Sequence, residues 1–247
     1  MKRSFFVLLV GGLFALVYGC RMAGAPITEL GTPEFVPASQ PDSIAETGIG
    51  QDPKTGGIQL QWYTTTGAAS YRIYRSDSLD PKGVPTGFKI VGNVISSASL
   101  NDTSMVDANS LRVGVRHYYY LTAHASDGSS SPPSDTIDYA LLDRPGLSYP
   151  GVNAAVHEDE LYFNWHDNTG GGYTVIRVRD ISLVPSVTIW VSRRFQIFDT
   201  SPRKAFNFDG AAIGQLVSGH SYQWRVDRFN LGVNEGARST WQVFTIQ

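Results

Sequence analysis

This chain has little of what catalytic or disulfide-stapled proteins carry. Its 247 residues contain a single cysteine, Cys20. That excludes an internal disulfide framework and a thiolate metal cage. Charged residues make up only 17% of the chain, and the formal net charge is −2. There is no basic face of the kind nucleic acid requires, so no nucleic-acid partner is expected. The chain has no Gly-x-Ser-x-Gly elbow, no phosphate-binding glycine loop followed by a helix, and no His-Glu-x-x-His pair. Only one apolar run is long. After residue 20 no segment keeps a helical apolar stripe for more than two turns. A non-enzymatic, cofactor-free, strand-built protein is the expectation these absences leave.

What is plentiful points the same way. Twenty-five glycines and 12% aromatic residues suit short strands joined by tight turns. Ile58-Gln-Leu-Gln-Trp62 and Tyr71-Arg-Ile-Tyr-Arg75 alternate apolar and polar, the period of a half-buried strand. Phe88-Lys-Ile-Val91 and Tyr118-Tyr-Tyr-Leu-Thr-Ala123 follow, with Gly, Asp, Ser and Pro clusters between. Regular short strands with frequent turns predict a sandwich or barrel.

The second half repeats the first. Leu161-Tyr-Phe-Asn-Trp165 answers the strand ending at Trp62, an offset of 103 residues. Tyr173 answers Tyr71 at 102, and Leu216 and Gly219 answer Leu111 and Gly114 at 105. A nearly constant offset of one domain length is a tandem duplication. The boundary falls at Leu142-Asp-Arg-Pro-Gly146, where Pro145 cannot donate to a ladder and Gly146 relaxes the backbone. The expected domains are 41–143 and 144–247. The first carries 12 acids and 7 bases from Thr32 on, the second 9 acids and 10 bases.

Both copies resemble the fibronectin type III module. The residues that carry the resemblance are the Trp closing one strand, the Tyr opening the next, and Leu-x-x-Gly-x-x-Tyr leading into a later strand. The second copy has Leu216-Val-Ser-Gly219-His-Ser-Tyr222 in full, and the first has Leu111-Arg-Val-Gly114-Val-Arg-His117. Met105-Val-Asp107 resembles the Asp-bearing entry to strand E. The resemblance implies two immunoglobulin-like β-sandwiches, all-β, with loops and strand edges suited to protein contacts. In the first copy His117 stands where the tyrosine corner needs a hydroxyl. Either the imidazole makes that bond or Tyr118 does. Between Ile181 and Phe208 the second copy is irregular, and an extra hairpin or a long sheet-switching loop is expected there.

The amino terminus reads separately. Lys2 and Arg3 precede an apolar run from Phe5 to Tyr18, 14 residues long. This is the pattern of a secretory signal, too short to span a bilayer comfortably. Val17-Tyr-Gly19 before Cys20 resembles the lipobox of bacterial lipoproteins. The resemblance implies a diacylglycerol thioether on Cys20, cleavage of the Gly19–Cys20 bond, and acylation of the new amino group. An uncleaved apolar anchor is the alternative, with nearly the same location. Residues 1–19 are then signal peptide and 20–40 a flexible tether holding the body to a membrane. Arg21, not Asp, follows the cysteine, which by the same resemblance favours the outer membrane of the cell envelope, facing periplasm or surface.

The remaining candidate chemistry is sparse. His117, His124, His157, His166 and His220 are scattered, and no metal site is expected. Glu158-Asp-Glu160 reads as a solvated turn rather than an acid pair or calcium ligands, and Gly170-Gly-Gly172 as a flexible loop without a helix dipole. Trp190 and Trp241 lie outside the strand-closing position, near Arg193, Arg194, Arg203 and Lys204. These aromatics and arginines are the candidate contacts to a glycan or acidic head group, set against ordinary core packing for the tryptophans. A scaffold that binds protein, a glycan-binding module and an accessory subunit of an envelope complex are the functions carried forward. Aromatics exposed on one face would favour the glycan reading; aromatics in the core would remove it.

Overall fold

The computed structural model describes residues 29–96, 103–167, 172–231 and 234–247. The signal peptide and Cys20 lie outside the described residues. The first half runs through β1 (Gly50–Gln51), β2 (Ile58–Gln61), β3 (Ser70–Ser76), β4 (Ser78–Leu79) and β5 (Pro85–Thr86). It continues with β6 (Lys89–Ile95), β7 (Ser104–Asp107), β8 (Arg116–His124) and β9 (Ile137–Leu141). The second half comprises β10 (Gly146–Tyr149), β11 (Ala154–Val156), β12 (Tyr162–His166), β13 (Tyr173–Asp180) and β14 (Val187–Val191). It ends with β15 (Phe195–Gln196), β16 (Arg203–Ala205), β17 (Ser221–Phe229), β18 (Glu235–Arg238) and β19 (Gln242–Ile246).

The molecule is all-β, two fibronectin type III-like sandwiches in tandem. In the first, the order β1-β2-β7 faces the order β9-β8-β3-β6. In the second, β10-β12-β16 faces a sheet in which β17 lies between β13 and β19. Alternation decides which residues go inside. β8 reads intermediate-buried throughout, with His117, Tyr119, Leu121 and Ala123 inward. Trp62 and Trp165 are buried at the closing positions, as their alternating strands predict. The two cores are separate. Trp62, Tyr71, Ile73, Tyr119 and Leu121 fill the first; Phe163, Trp165, Trp190, Trp224 and Phe244 fill the second.

The duplicated motif has a structural cause. Gly114 and Gly219 sit at φ +75° and +83°, where a side chain is strained. That turn lets Gly114 N–H reach Leu141 O and Gly219 N–H reach Ile246 O, both at 105 residues' offset. In the second module Val217 N–H donates to the Tyr222 hydroxyl at 2.8 Å, the tyrosine corner. In the first module neither bond expected there forms. His117 points inward and its Nδ1 lies 2.6 Å from Asp77 Oδ1, while Tyr118 sits on the outward side.

The irregular stretch resolves into two edge elements. β14 pairs with one end of β13 and β15 with the other. Between them Ser192 takes over the ladder, exchanging bonds with Ile176 N–H and O. β16 then crosses to pair with β12.

The segment expected as tether differs from 29 onward. Leu30 is buried in the first core, Phe35 bridges Trp62, and Val36 N–H donates to Gln61 O at 2.9 Å. Leu30 and Phe35 bury apolar surface that a free tether would leave wet. Their spacing follows no strand period, because the segment is an irregular strap.

Candidate functional site

The most elaborately built region is the joint between the sandwiches. β18 pairs antiparallel with β17 of its own module and parallel with β9 of the other. Ala140 N–H donates to Asn234 O and Leu142 N–H to Gly236 O, each at 2.9 Å. Eleven strands thereby join into one sheet. Gly236 permits the approach. A Cβ there would lie 2.7 Å from both Arg228 O and the Tyr139 hydroxyl. Across the joint, Arg144 donates to Arg238 O and to Pro53 O. Gln51 accepts from Arg238 N–H at 2.6 Å with its side chain and from the Arg238 guanidinium at 2.9 Å with its carbonyl.

A charge cluster fills the outer face of β13 and β17 beside this seam. Asp227 accepts from Arg177 Nε and Arg225 Nε, both at 2.8 Å. Glu46 contacts Arg225, lies 3.3 Å from Arg238 Nη2 and 3.9 Å from Arg177 Nε. Pro41 O accepts from Arg177 Nη2 at 2.6 Å. Residues 41–46 thus reach out of the first module, dock on the second, and return to β1. Burial raises the Asp227 carboxyl, but Arg225, Arg238 and Arg177 outweigh it and hold it at about 2. Burial works against the charge on Arg225, yet Asp227 and Glu46 outweigh it and raise its pKa. A cleft of about 410 Å³ opens here, lined by Ser39, Tyr139, Asp227, Phe229, Asn234 and Arg238 among others. Domain junctions are where ligand clefts commonly form. Its charges are already paired with one another, so the arrangement locks two bodies rather than presenting a reactive group.

The residues singled out from sequence do not form one site. Trp190 is fully buried, donates Nε1–H to Asp209 at 3.0 Å and packs on Phe163, Phe206 and Phe208. It offers no face to a sugar, which corrects its place among the ligand contacts. Trp241 is half-buried, with the Arg179 and Arg225 guanidinium carbons 4.2 and 4.6 Å from its ring centroid. Arg193 and Arg194 are exposed on the flank, and Arg194 Nε lies 3.9 Å from Asp42. Lys204 sits over Phe195 and Phe208, and Arg203 over Tyr162. No coplanar aromatic face results. Among the described residues no group of three or more His, Cys, Asp or Glu is placed to hold a metal.

Sequence reasoning missed Glu46, Arg177, Arg225, Asp227 and Gly236. The signal was present in Arg225-Val-Asp227: charges two apart on a strand share a face, and on an outer face they look like ordinary solvated residues. Nothing local says that residue 46 closes over them.

No family model matches this chain, and no curated protein does. Solved structures do. One is an Fn3-like protein from Clostridium thermocellum, 20% identical, covering 41% of this chain and 91% of that one, with a TM-score of 0.30. Another is the chicken CNTN1 FN1–FN3 domains, 13% identical, covering 87% and 66%, with a TM-score of 0.29. A third is a tetra-tandem repeat from the extending region of a large adhesion protein, 13% identical, covering 87% and 49%, with a TM-score of 0.27. This chain therefore spans about two thirds of the second and half of the third.

Proposed function

We propose that this chain is a non-enzymatic envelope lipoprotein, held to a membrane by acyl chains on Cys20, whose two modules form a stiff scaffold for protein contacts. The joint carries the scaffold part of this reading, and the lipobox resemblance before Cys20 carries the anchor. Neighbouring domains in a chain move by default unless a substantial interface fixes them. Here a shared strand pairing, a strap and a five-residue ion cluster fix them together. Stiffness lowers the ordering cost of binding, which suits a spacer or assembly platform. The covalent lipid is the one attached group, and the outer membrane is the favoured location. The glycan reading loses Trp190, and Trp241 is stacked under arginines.

The test combines anchoring and capture in intact cells. A fatty-acid probe labels the natural chain and not the Cys20→Ala variant. Crosslinking followed by affinity recovery yields a discrete protein. Gly236→Val, which wedges the seam, lowers that recovery severalfold while leaving lipid labelling unchanged. Labelling of Cys20→Ala, or recovery of polysaccharide alone, overturns the proposal.

A further inference from the structure

The pole of the second module remote from the joint is apolar and acidic at once. The β13–β14 turn exposes Leu183 (43%), Val184 (98%) and Val187 (44%). The loop before β17 adds Val217 at 46% exposure. Two contacts bring these together: Ser221 N–H donates to Ser182 Oγ at 2.8 Å, and His220 Nδ1 lies 2.8 Å from Asp180. Glu158, Asp159 and Glu160 follow β11 at the same pole, where Gln247 N–H donates to Val156 O, and all three are exposed. Of the other charged groups there, Asp180 is engaged by His220, His157 is exposed, and Arg179 lies along the sheet on Gln223 and Trp241. This tip carries an excess of negative charge and is unsuited to an anionic lipid surface.

The same module carries a surface of complementary character on its flank. Ile213, 66% exposed, is held beside β14 by a bond from its N–H to Ile189 O at 2.8 Å. With Ile44 (55% exposed), Val191 and Ala211 it lines a notch of about 220 Å³. Arg193 and Asp42 complete its lining, and Arg194 stands next to it beside Asp42. Asp209 is taken up by Trp190 and by the backbone N–H of Arg193 and Ala211. Asp42 lies 3.9 Å from Arg194 Nε, and among the described residues no carboxylate pairs with the Arg193 guanidinium. Tip and notch stand at the two ends of β14, about 13 Å apart along the strand. One copy cannot satisfy itself.

We propose that the tip around Val184 of one copy docks into the Ile44–Ile213 notch of a second copy, its acids facing Arg193 and Arg194. This deepens the scaffold reading and rests on it. The contact is heterologous, so it propagates into rows, open or closed into a ring, rather than two-fold dimers. It is small, and therefore weak in dilute solution. Confinement of copies to one leaflet raises their effective concentration and makes up for that weakness.

A photo-crosslinking residue at position 184 of the full chain, in intact cells, tests this. The expected adduct has twice the chain mass, and its crosslinked peptide contains Ile44 or Ile213. Ile213→Asp lowers the yield about tenfold, since a charge enters an apolar contact. Reversing Glu158, Asp159 and Glu160 to Lys lowers it severalfold, and adding Arg193→Glu with Arg194→Glu restores it. All these positions are exposed, so folding is unaffected. Two differently tagged copies, one with the probe and Ile213→Asp, the other with Val184→Asp, give only the mixed adduct. An adduct to lipid, to another protein, or one indifferent to Ile213→Asp overturns the proposal. A probe at Tyr120, on the outward face of β8, separates the two ideas. An adduct there to another protein, with none at position 184, keeps the scaffold and removes the rows; no adduct at either position removes both.

Discussion

The two sandwiches share strand order and glycine turns yet close the same corner with different chemistry. In the second, Tyr222 caps Val217 N–H and a neighbouring histidine, His220, engages Asp180 from the rim. In the first, His117 stands at the tyrosine position, fully buried, and itself engages Asp77. Asp77 and Asp180 occupy matching places at 103 residues' offset. The carboxylate at the end of the strand is thus kept in both, while the imidazole that meets it moves two positions and takes over the corner. Topology fixes where a polar group must stand; it does not fix which one.

A second contrast concerns buried carboxylates. Asp107 of the first module is bound by Arg75 Nη1 at 2.7 Å and by the Tyr119 hydroxyl at 3.1 Å, all within one sandwich. Asp227 of the second serves the joint. Removing it sharpens the comparison most. Asp227→Ala leaves Arg177 and Arg225 buried without it, a loss of about 3–5 kcal/mol. Denaturant titration should show the second module unfolding earlier and independently of the first. Asp107→Ala should destabilise only the first module.

Acid breaks the same contrast from another side. The Asp227 carboxyl sits at about 2 when folded, against 3.8 for the free group. A depressed folded value gives stability that is fully present above the unfolded value and lost as pH falls through the folded one. The contribution is on the order of 2–3 kcal/mol above about pH 5 and vanishes towards pH 2. Urea midpoints measured at pH 5 and pH 2.5 should therefore drop further for the natural chain than for Asp227→Asn. An equal drop would remove the cluster from the account.

A smaller effect tests the duplication. Ser134 and Ser239, 105 residues apart, each accept with the hydroxyl oxygen from a buried N–H of the facing strand, Leu121 at 3.0 Å and Val226 at 3.0 Å. Ser→Ala at either site leaves that N–H unmet, about 1–3 kcal/mol, and the two losses should match. The smallest effects concern the corner. Tyr222→Phe should cost about 1 kcal/mol in thermal unfolding, whereas Tyr118→Phe, outward in the first module, should cost less than about 0.5 kcal/mol. A large effect at Tyr118 would reinstate it as the corner residue.

Much of the fold was legible because its causes are local. Alternation put Trp62 and Trp165 inside, and the repeat spacing located the glycine turns. The strap was not legible, since Leu30 and Phe35 follow no period and find their partners only in three dimensions. The joint was hidden for the same reason. Glu46 reaches Arg225 across 179 residues, and Gly236 is pressed at once by Arg228 O of its own module and by the Tyr139 hydroxyl of the other. For Trp190 the nearby basic residues left a ligand contact open beside core packing, and burial of β14's inner face decides for the core.

The parallel run of β9 beside β18 bears on mechanics. Leu30 packs near the Gly67 loop of the first module, remote from the seam, while Val184 lies at the opposite extremity of the second. Tension applied between those extremities slides the paired strands lengthwise past each other. Their rungs are then strained simultaneously, as in a lap joint, instead of parting one after another like a zip.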